Sequence, residues 1–312
     1  MLALYLGPVA ALCAFLLMSQ NNGEFAPAVT MAVTLWVVIW WIFEPIPIPA
    51  TSLLPMALLP LFGVLTAKEL GAAYGNPLVL LMLGGFILAA ALERSGAHRR
   101  IALYMVRAFG GTSPRRLVFG FMCASAFLSM WISNTSTTLM LLPVALAALE
   151  KTDDAKLAGP LLLGIAYAAS IGGIGTPIGT PPNMVFMGVY SEVTGGAVSF
   201  GQWMLWAIPV VLIMLPIAGL WITRGVSKSG GVALPEAEAW SAAERRVLIV
   251  FSITALLWMT RKGPWGGWSE WLSLPYANDA MVAFLAVIAL FVIPSGKRPA
   301  TSPSRSTVFS NS

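Results

Sequence analysis

Charged residues are scarce in this sequence. Asp, Glu, Lys and Arg make up 10% of the 312 residues, whereas 58% are hydrophobic and the mean hydropathy is +0.81. This composition excludes an ordinary soluble domain and predicts a polytopic membrane protein that partners a lipid bilayer. The net charge of +5 does not indicate a nucleic-acid partner, because the basic residues are spread over short loops, as membrane topology requires.

Cysteine and histidine are also rare. Cys13 and Cys123 lie in apolar runs, so we expect small core residues and neither a disulfide nor a metal site. The single histidine, His98, is expected to lie in a basic loop (HRR) as a surface residue and not as a ligand. The glycine spacing in residues 173–179 includes a proline and follows no predicted strand, so no dinucleotide site and no other cofactor is predicted.

Two long apolar stretches, residues 117–149 and 160–190, contain no Asp, Glu, Lys, Arg or His. Acid–base and nucleophilic catalysis need titratable partners, so these stretches do not predict an enzyme. Each stretch has a polar centre: Ser129–Thr138 reads SMWISNTSTT, and Gly172–Asn183 reads GGIGTPIGTPPN. Polar groups in hydrocarbon are costly without partners, so we expect the two centres to meet and form a binding site. Alternatively, the hydroxyl groups bond back to carbonyls of their own helix.

Eight apolar segments have spanning or near-spanning length, at residues 2–18, 26–43, 48–65, 77–92, 160–190, 203–223, 246–260 and 278–294. The segment over 160–190 is expected to be a broken helix. Residues 117–149 are too many for one span of about 20 residues and too few for two. This segment is therefore either one tilted span or a re-entrant hairpin.

The distribution of basic residues favours the hairpin. With a cytoplasmic N-terminus and a hairpin, only Lys68, Arg261 and Lys262 of the 18 Lys and Arg residues fall outside; a single crossing places 10 of the 18 outside. The positive-inside rule therefore predicts a hairpin that enters from the cytoplasmic side. The predicted fold is an all-α polytopic membrane protein of the inner membrane, with about eight transmembrane segments plus one re-entrant helical hairpin. His98–Phe109 is expected to be an amphipathic helix at the membrane surface, and Pro235–Arg246 either a second one or an ordinary loop.

Two motifs in this order resemble a known family. FLSMWISNTSTTLMLLPVALA, followed by SIGGIGTPIGTPPNMVFMG, is similar to the first half of the divalent anion:sodium symporters, which transport di- and tricarboxylates and sulfate. The preceding LMLGGFILAAALERSGAHRRIAL also fits, and the resemblance extends from about Val29 to Pro294. It implies an SNT motif at the tip of a cytoplasmic-side re-entrant hairpin, and it implies a homodimer.

The resemblance also implies roles for individual residues. The implied ligands of a first Na⁺ site are Ser129, Ser133, Asn134 and Gly179. The implied contacts to a substrate carboxylate come from Asn134, Thr135 and Thr180. The residues implied to hold the unwound loop open are Pro181, Pro182 and Asn183.

The chain departs from the family pattern in one respect. Family members have two inverted repeats, each with an SNT-type hairpin, whereas this sequence has one SNT; the SNS at Ser310–Ser312 lies in a polar tail. We therefore expect a C-terminally truncated member. Residues 1–228 form the first repeat, with the hairpin at 117–149 and the broken helix at 160–190; residues 229–294 begin the second repeat, and 295–312 are a disordered tail.

The expected function is secondary active transport of dicarboxylates, tricarboxylates or sulfate by alternating access, with Na⁺ as the coupling ion. A neutral site suits ion coupling, because a co-bound cation offsets the cost of placing an anion at mid-membrane. Na⁺ or H⁺ coupling, and symport or exchange, are all compatible with the residues. The alternative is a truncated, non-transporting membrane remnant or an interaction partner of a transporter.

Overall fold

The computed structural model of the protein describes residues 2–20, 24–110, 113–150, 156–226, 239–263 and 266–293. Every extended regular element in these ranges is a helix, which confirms the predicted all-α membrane fold. The predicted tail at 295–312, with its SNS, lies outside the described residues. So do the first four residues of Pro235–Arg246, and the remainder of that segment leads into a long helix.

Residues 1–76 form one compact unit. Its helices are α1 (Leu2–Gln20), α2 (Phe25–Phe43), α3 (Ile48–Thr51), α4 (Leu54–Leu61) and α5 (Ala67–Tyr74). Helices α1 and α2 pack along each other, and Val29, Val33 and Val37, spaced by one helical turn, form the buried face of α2. The single span predicted over 48–65 is divided in the structure into α3 and α4, because Pro55 lacks the backbone N–H that would bond the Thr51 carbonyl in a continuous helix.

The described residues from 77 to 293 form the second compact unit. Its described helices are α6 (Pro77–Ser95), α7 (Ala97–Gly110), α8 (Pro114–Ser129), α9 (Asn134–Leu149), α10 (Ala158–Gly173), α11 (Pro181–Thr194), α12 (Phe200–Ile222), α13 (Ala242–Thr260), α14 (Trp268–Trp271) and α15 (Asp279–Val292). The largest hydrophobic core among the described residues lies in this unit, and α8 is its most buried helix.

Four helices of the described chain are long and apolar enough to cross a membrane. They are α1, α2, α6 and α12 with its short C-terminal extension to Gly225. Three of the other predicted spans, at 48–65, 160–190 and 278–294, contain shorter apolar helices, and so does the predicted hairpin, in α9. The broken helix predicted over 160–190 is present, with α10 ending at Gly173 and α11 beginning at Pro181.

Helices α8 and α10 run parallel to each other. Gly164 of α10 lies against Met122, and Gly172, eight residues further along α10, lies against Ala126 of α8. Contacts thus advance in the same direction along both chains, so both helices begin at the same end of the unit.

This arrangement requires α9 to turn back. A helix of 16 residues is about 24 Å long, so an α9 that continued the direction of α8 would end about 45 Å from the start of α10. The eight residues that connect α9 to α10 reach at most about 28 Å. Helices α8 and α9 therefore form a helical hairpin; its re-entrant placement in a bilayer stays a prediction.

The charged contacts of this unit fall at opposite ends of its long helices. Arg115 donates to the Thr223 hydroxyl at 3.1 Å, beyond the C-terminus of α12. Asp279 accepts from the backbone N–H of Phe200, the first residue of α12, and pairs with Arg261. Because α12 is about 34 Å long, the two groups are far apart. The location of Arg115 and Arg261 at opposite ends of α12 agrees with the prediction that they lie on opposite sides of the membrane. Which of the two ends is cytoplasmic stays a prediction.

Candidate functional site

The first polar break is the turn between α8 and α9. Helix α8 ends at Ser129, and Ser133 caps α9, because its hydroxyl accepts from the backbone N–H of Ser136 at 3.1 Å. A serine in the N-cap position satisfies one of the helix donors that have no intrahelical partner. The sequence SMWISN therefore stops one helix and starts another within four residues.

Ser129 and Asn134 face each other across this turn. The hydroxyl group of Ser129 donates to Oδ1 of Asn134 at 2.5 Å, and the Ser129 side chain is fully buried. Asn134 is the first residue of α9, so its amide lies at the positive end of the helix dipole. The bond leaves the Asn134 NH₂ group able to donate elsewhere.

The second polar break is the connection between α10 and α11. Pro181 and Pro182 occupy the first two positions of α11, where a missing backbone donor costs nothing. Asn183 follows them and is buried; its Nδ2 donates to the Gly173 carbonyl at 2.8 Å and to the Thr176 carbonyl at 2.7 Å. The Asn183 amide thus ties the unwound segment to the start of the helix that follows it.

The two breaks meet, as the sequence predicts. A Cβ atom added to Gly173 would lie 2.5 Å from Oδ1 of Asn134. One added to Gly179 would lie 2.5 Å from the Gly173 carbonyl oxygen and 3.0 Å from that of Ser129. These distances are too short for any side chain, so glycine is required for the approach of the two backbones. The Thr176 hydroxyl adds a direct link, since it donates to the carbonyl of Met130.

The structure brings some of the predicted site residues together and separates others. Ser129, Asn134 and Gly179 converge within this contact. Ser133 is exposed and its hydroxyl is occupied as the cap of α9. Thr135 is exposed at the start of α9, and Thr180 is half-buried before Pro181 with no side-chain capping bond. The ligand roles of all these residues stay predictions.

Four helix ends meet at the site. They are the C-termini of α8 and α10, which carry partial negative charge, and the N-termini of α9 and α11, which carry partial positive charge. Because residues 117–149 and 160–190 contain no Asp, Glu, Lys, Arg or His, the local field comes from these dipoles and from amide and hydroxyl groups. Within the described residues no group of three or more His, Cys, Asp or Glu side chains is placed to hold a metal ion. Carbonyl, amide and hydroxyl oxygens remain, and these suit an alkali cation.

The alternative reading of the SNTSTT hydroxyls holds for one residue. Thr138 donates to the backbone carbonyl of Asn134 at 2.6 Å, in the back-bonded geometry of a helix interior. Ser129 instead bonds the Asn134 side chain, and Ser133 caps α9. The hydroxyl of Thr137 is buried and has no hydrogen-bond partner among the described residues.

Three contributors were not singled out from the sequence. Thr176 and Gly173 lie within the predicted polar stretch, and their contacts with Met130 and Asn134 arise only when the two breaks pack. Trp203 of α12 donates its indole N–H to the Ile174 carbonyl at 2.9 Å. Nothing in the local sequence around Trp203 indicates this contact, which depends on tertiary packing.

A histidine lies outside the site, on α7. His98 is half-buried in the first turn of this helix, not in a loop, and Nδ1 lies 3.2 Å from the carbonyl oxygen of Leu92. Burial lowers the pKa of His98 below its ordinary value, although the Leu92 carbonyl and the nearby Glu93 oppose the shift. The predicted amphipathic helix is present as α7, with its apolar side packed on α8.

Comparison with known proteins decides the family. The model of the citrate transporter family matches residues 38–297. The chain belongs to this family. It is 37% identical over 317 aligned residues to the sodium-dependent dicarboxylate transporter SdcS of Staphylococcus saprophyticus, and 36% identical to SdcS of Staphylococcus aureus strain RF122. Each alignment covers 95% of this chain and 60% of the relative, so the chain spans about 60% of the length of these relatives. The resemblance to anion:sodium symporters is thereby confirmed.

Proposed function

We propose that the chain carries a sodium and substrate site of a secondary active transporter that couples the movement of a dicarboxylate to Na⁺. The observation that carries this proposal is the meeting of Ser129 and Asn134 with Gly173 and Gly179 at four helix ends. The names of the relatives supply the substrate class and the ion. No cofactor is proposed.

The cation is assigned to the C-terminal ends of α8 and α10. The carbonyl oxygens of Ser129 and Gly173 lie beside Gly179, and Oδ1 of Asn134 lies beside Gly173, so oxygen atoms from both breaks face one region. The partial negative charge at two helix C-termini favours a cation there. Ser133 joins this ligand set if its hydroxyl exchanges the capping bond for the ion.

The anion is assigned to the N-terminal ends of α9 and α11. Thr135 lies in the first turn of α9, near backbone N–H groups that have no intrahelical partner. Thr180 immediately precedes α11, whose first two residues are prolines without an N–H, so Thr180 contributes its hydroxyl group, which makes no capping bond. Asn134 serves both ligands, because its carbonyl oxygen faces the cation and its NH₂ group is a donor. Pro181, Pro182 and Asn183 keep the loop before α11 unwound.

Coupling follows from the lack of a fixed positive charge. A dicarboxylate at this depth is costly without a counter-charge, and a bound Na⁺ supplies one. Binding of each ligand then strengthens binding of the other, by a coupling free energy of about 1–3 kcal/mol. Each ligand shifts the affinity for the other by the same factor.

The proposal includes a membrane placement. The hairpin helices α8 and α9 are each about 24 Å long, which is shorter than a hydrocarbon core of about 30 Å. This length suits a hairpin that enters and leaves on the cytoplasmic side of the inner membrane, with the N-terminus also cytoplasmic. Movement of the site between the two sides gives alternating access, and a homodimer is part of the proposal on the resemblance alone.

A second candidate function is a membrane protein that binds partners but does not transport. The sequence contains a single SNT motif and spans about 60% of its relatives' length, so half of the two-sided site that the family resemblance implies is not in this sequence. An interaction partner of a transporter would keep the fold without Na⁺-dependent uptake.

Reconstitution separates the two candidates. The chain is placed in lipid vesicles, and uptake of labelled succinate, citrate and sulfate is measured under an inward Na⁺ gradient and under a matched K⁺ gradient. Uptake that requires Na⁺ supports the proposal. Absence of both uptake and Na⁺-dependent binding, alongside an active preparation of a relative, favours the non-transporting candidate.

A further inference from the structure

One turn of α12 contacts both polar breaks. The indole N–H of Trp203 donates to the Ile174 carbonyl at 2.9 Å, in the break after α10. The ring of Phe200 stacks on Trp131, in the turn between α8 and α9, with centroids 6.3 Å apart and planes 15° apart. Phe200 is fully buried, and Trp203 is 8% exposed. The first turn of α12 therefore links two segments that are separate in sequence.

The hydrogen bond from Trp203 is accepted by Ile174, which lies close to the predicted ligand Asn134. Ile174 directly follows Gly173, where an added Cβ atom would lie 2.5 Å from Oδ1 of Asn134. A carbonyl at a helix C-terminus has no intrahelical donor, so its direction depends on the partner it finds outside the helix. Trp203 supplies that partner and so fixes the peptide plane between Ile174 and Gly175.

The ring of Trp203 also has a packing role, which is separable from the hydrogen bond. It lies edge-to-face against Phe186 of α11, with centroids 5.6 Å apart and planes at 68°. A phenyl ring preserves most of this contact and cannot donate to Ile174. Removal of the N–H alone is therefore possible.

The same turn is anchored by a buried ion pair. The backbone N–H of Phe200 donates to Oδ2 of Asp279 at 3.3 Å, and the Asp279 carboxylate pairs with Arg261. The two charged side chains are each 9% exposed. Trp258 adds a bond from its indole N–H to the Asp279 carbonyl at 2.8 Å. The N-terminus of α12 is thus held in one position, from which Trp203 reaches the break.

We propose that Trp203 is a positioning residue for the sodium and anion site and acts through the carbonyl of Ile174. The inference rests on the proposed function of that site. Without the indole N–H, the peptide between Ile174 and Gly175 loses its fixed direction, and the adjoining backbone at Gly173, beside Asn134, is less well preorganised. Affinity for Na⁺ then falls although no ligand has been removed.

A pair of Trp→Phe variants of the whole chain tests the proposal. Trp203→Phe removes the donor to Ile174. Trp206→Phe is the matched control, since Trp206 lies one turn later on α12, is 43% exposed and makes a ring contact with Tyr190. Two quantities are measured in nanodiscs: the Na⁺ concentration that gives half-maximal succinate binding, and the unfolding temperature in Na⁺-free buffer.

We expect Trp203→Phe to raise the half-saturating Na⁺ concentration by about 2- to 10-fold, the range for one lost hydrogen bond, and Trp206→Phe to leave it unchanged. A structural role alone would lower the unfolding temperature of Trp203→Phe and leave its Na⁺ requirement equal to that of the control, which overturns the inference. If Trp203→Phe does not fold, Trp203→Leu takes its place, because it also removes the donor to Ile174 and keeps an apolar side chain. A wild-type chain without Na⁺-dependent binding overturns the proposed function itself, and this inference with it.

Discussion

The Ser129 hydroxyl donates a 2.5 Å hydrogen bond to the side-chain oxygen of Asn134, across the turn that separates α8 from α9. The bond joins the last residue of one helix to the first residue of the next. It fixes the Asn134 amide so that its oxygen faces Gly173 of the second break. The orientation of one amide thus depends on a hydroxyl group five residues earlier.

Loss of this hydroxyl is expected to weaken Na⁺ binding. In Ser129→Ala the Asn134 amide is free to rotate, so we expect the half-saturating Na⁺ concentration for succinate binding to rise by about 2- to 10-fold. Ser125→Ala is the matched control, because the Ser125 hydroxyl is equally buried on α8 and donates to the Ile165 carbonyl at 2.8 Å, away from the site. Equal Na⁺ requirements in the two variants would contradict the assignment.

A methyl group at Gly179 is expected to separate the two breaks. Its Cβ would meet the carbonyl oxygens of Gly173 and Ser129, which are backbone atoms and cannot move aside cheaply. We expect Gly179→Ala to weaken Na⁺-dependent binding by about 10- to 100-fold, as displacements of about 1 Å do at such sites. Binding is measured by titration of Na⁺ at fixed succinate.

Gly188→Ala is the control for this substitution. Gly188 lies inside α11, and a Cβ there would meet only Leu78, at 3.8 Å. Alanine favours a helix interior over glycine by about 0.5–1 kcal/mol, so this variant is expected to bind normally and to be equally or more stable. Normal binding by both glycine variants would show that the close approach does not serve the site.

The sequence located both breaks because their signals are local. SNTSTT and GTPPN combine helix caps, prolines and glycines within a few residues, and these dictate where helices stop and start. The cost of unpartnered polar groups in hydrocarbon predicts that the two breaks contact each other. The structure shows this contact, because the Thr176 hydroxyl donates to the Met130 carbonyl.

Other features depend on packing and were not predictable. Trp203 reaches Ile174 only after α12 has packed beside α10. His98 lies in a basic stretch that suggests a surface residue, yet α7 turns it towards the Leu92 carbonyl. The prediction of a single span over 48–65 rests on the number of apolar residues. It does not take account of the proline that divides the segment into two helices.

We expect a double-mutant cycle to show that Arg261 and Asp279 contribute jointly to stability. Arg261→Leu leaves the buried Asp279 carboxylate without its partner, which costs about 3–5 kcal/mol of stability. Adding Asp279→Leu removes the unpaired charge and recovers part of that loss, although the Phe200 N–H loses its acceptor. Unfolding temperatures of the three variants and the wild type provide the measurement.

Lys262→Leu is the control for this cycle. Lys262 adjoins Arg261 in sequence but is exposed, so we expect its loss to change stability by less than about 0.5 kcal/mol. If Arg261→Leu were as mild as Lys262→Leu, the pair would not be buried in the membrane-embedded protein.

Stability is expected to depend on pH through His98. Burial lowers its pKa in the folded chain, so the unfolded chain takes up a proton first as the pH falls. Stability is then fully present above the unfolded pKa, near 6.5, and decreases as the pH falls through the lower folded pKa. We expect the unfolding temperature of the wild type to decrease as the pH is lowered from about 7.5 to about 5.5. We expect the unfolding temperature of His98→Gln to change less over the same range. Parallel curves for the two proteins would contradict this role for His98.

The most direct test concerns Asn134, which contacts both breaks. Na⁺-dependent succinate binding is measured for the wild type, Asn134→Ala and Thr138→Ala; the Thr138 hydroxyl only bonds back to its own helix. We predict that Asn134→Ala abolishes the Na⁺ dependence, because Oδ1 and the amide donor are both lost, and that Thr138→Ala retains it. Unchanged Na⁺-dependent binding by Asn134→Ala would contradict the assignment of the site.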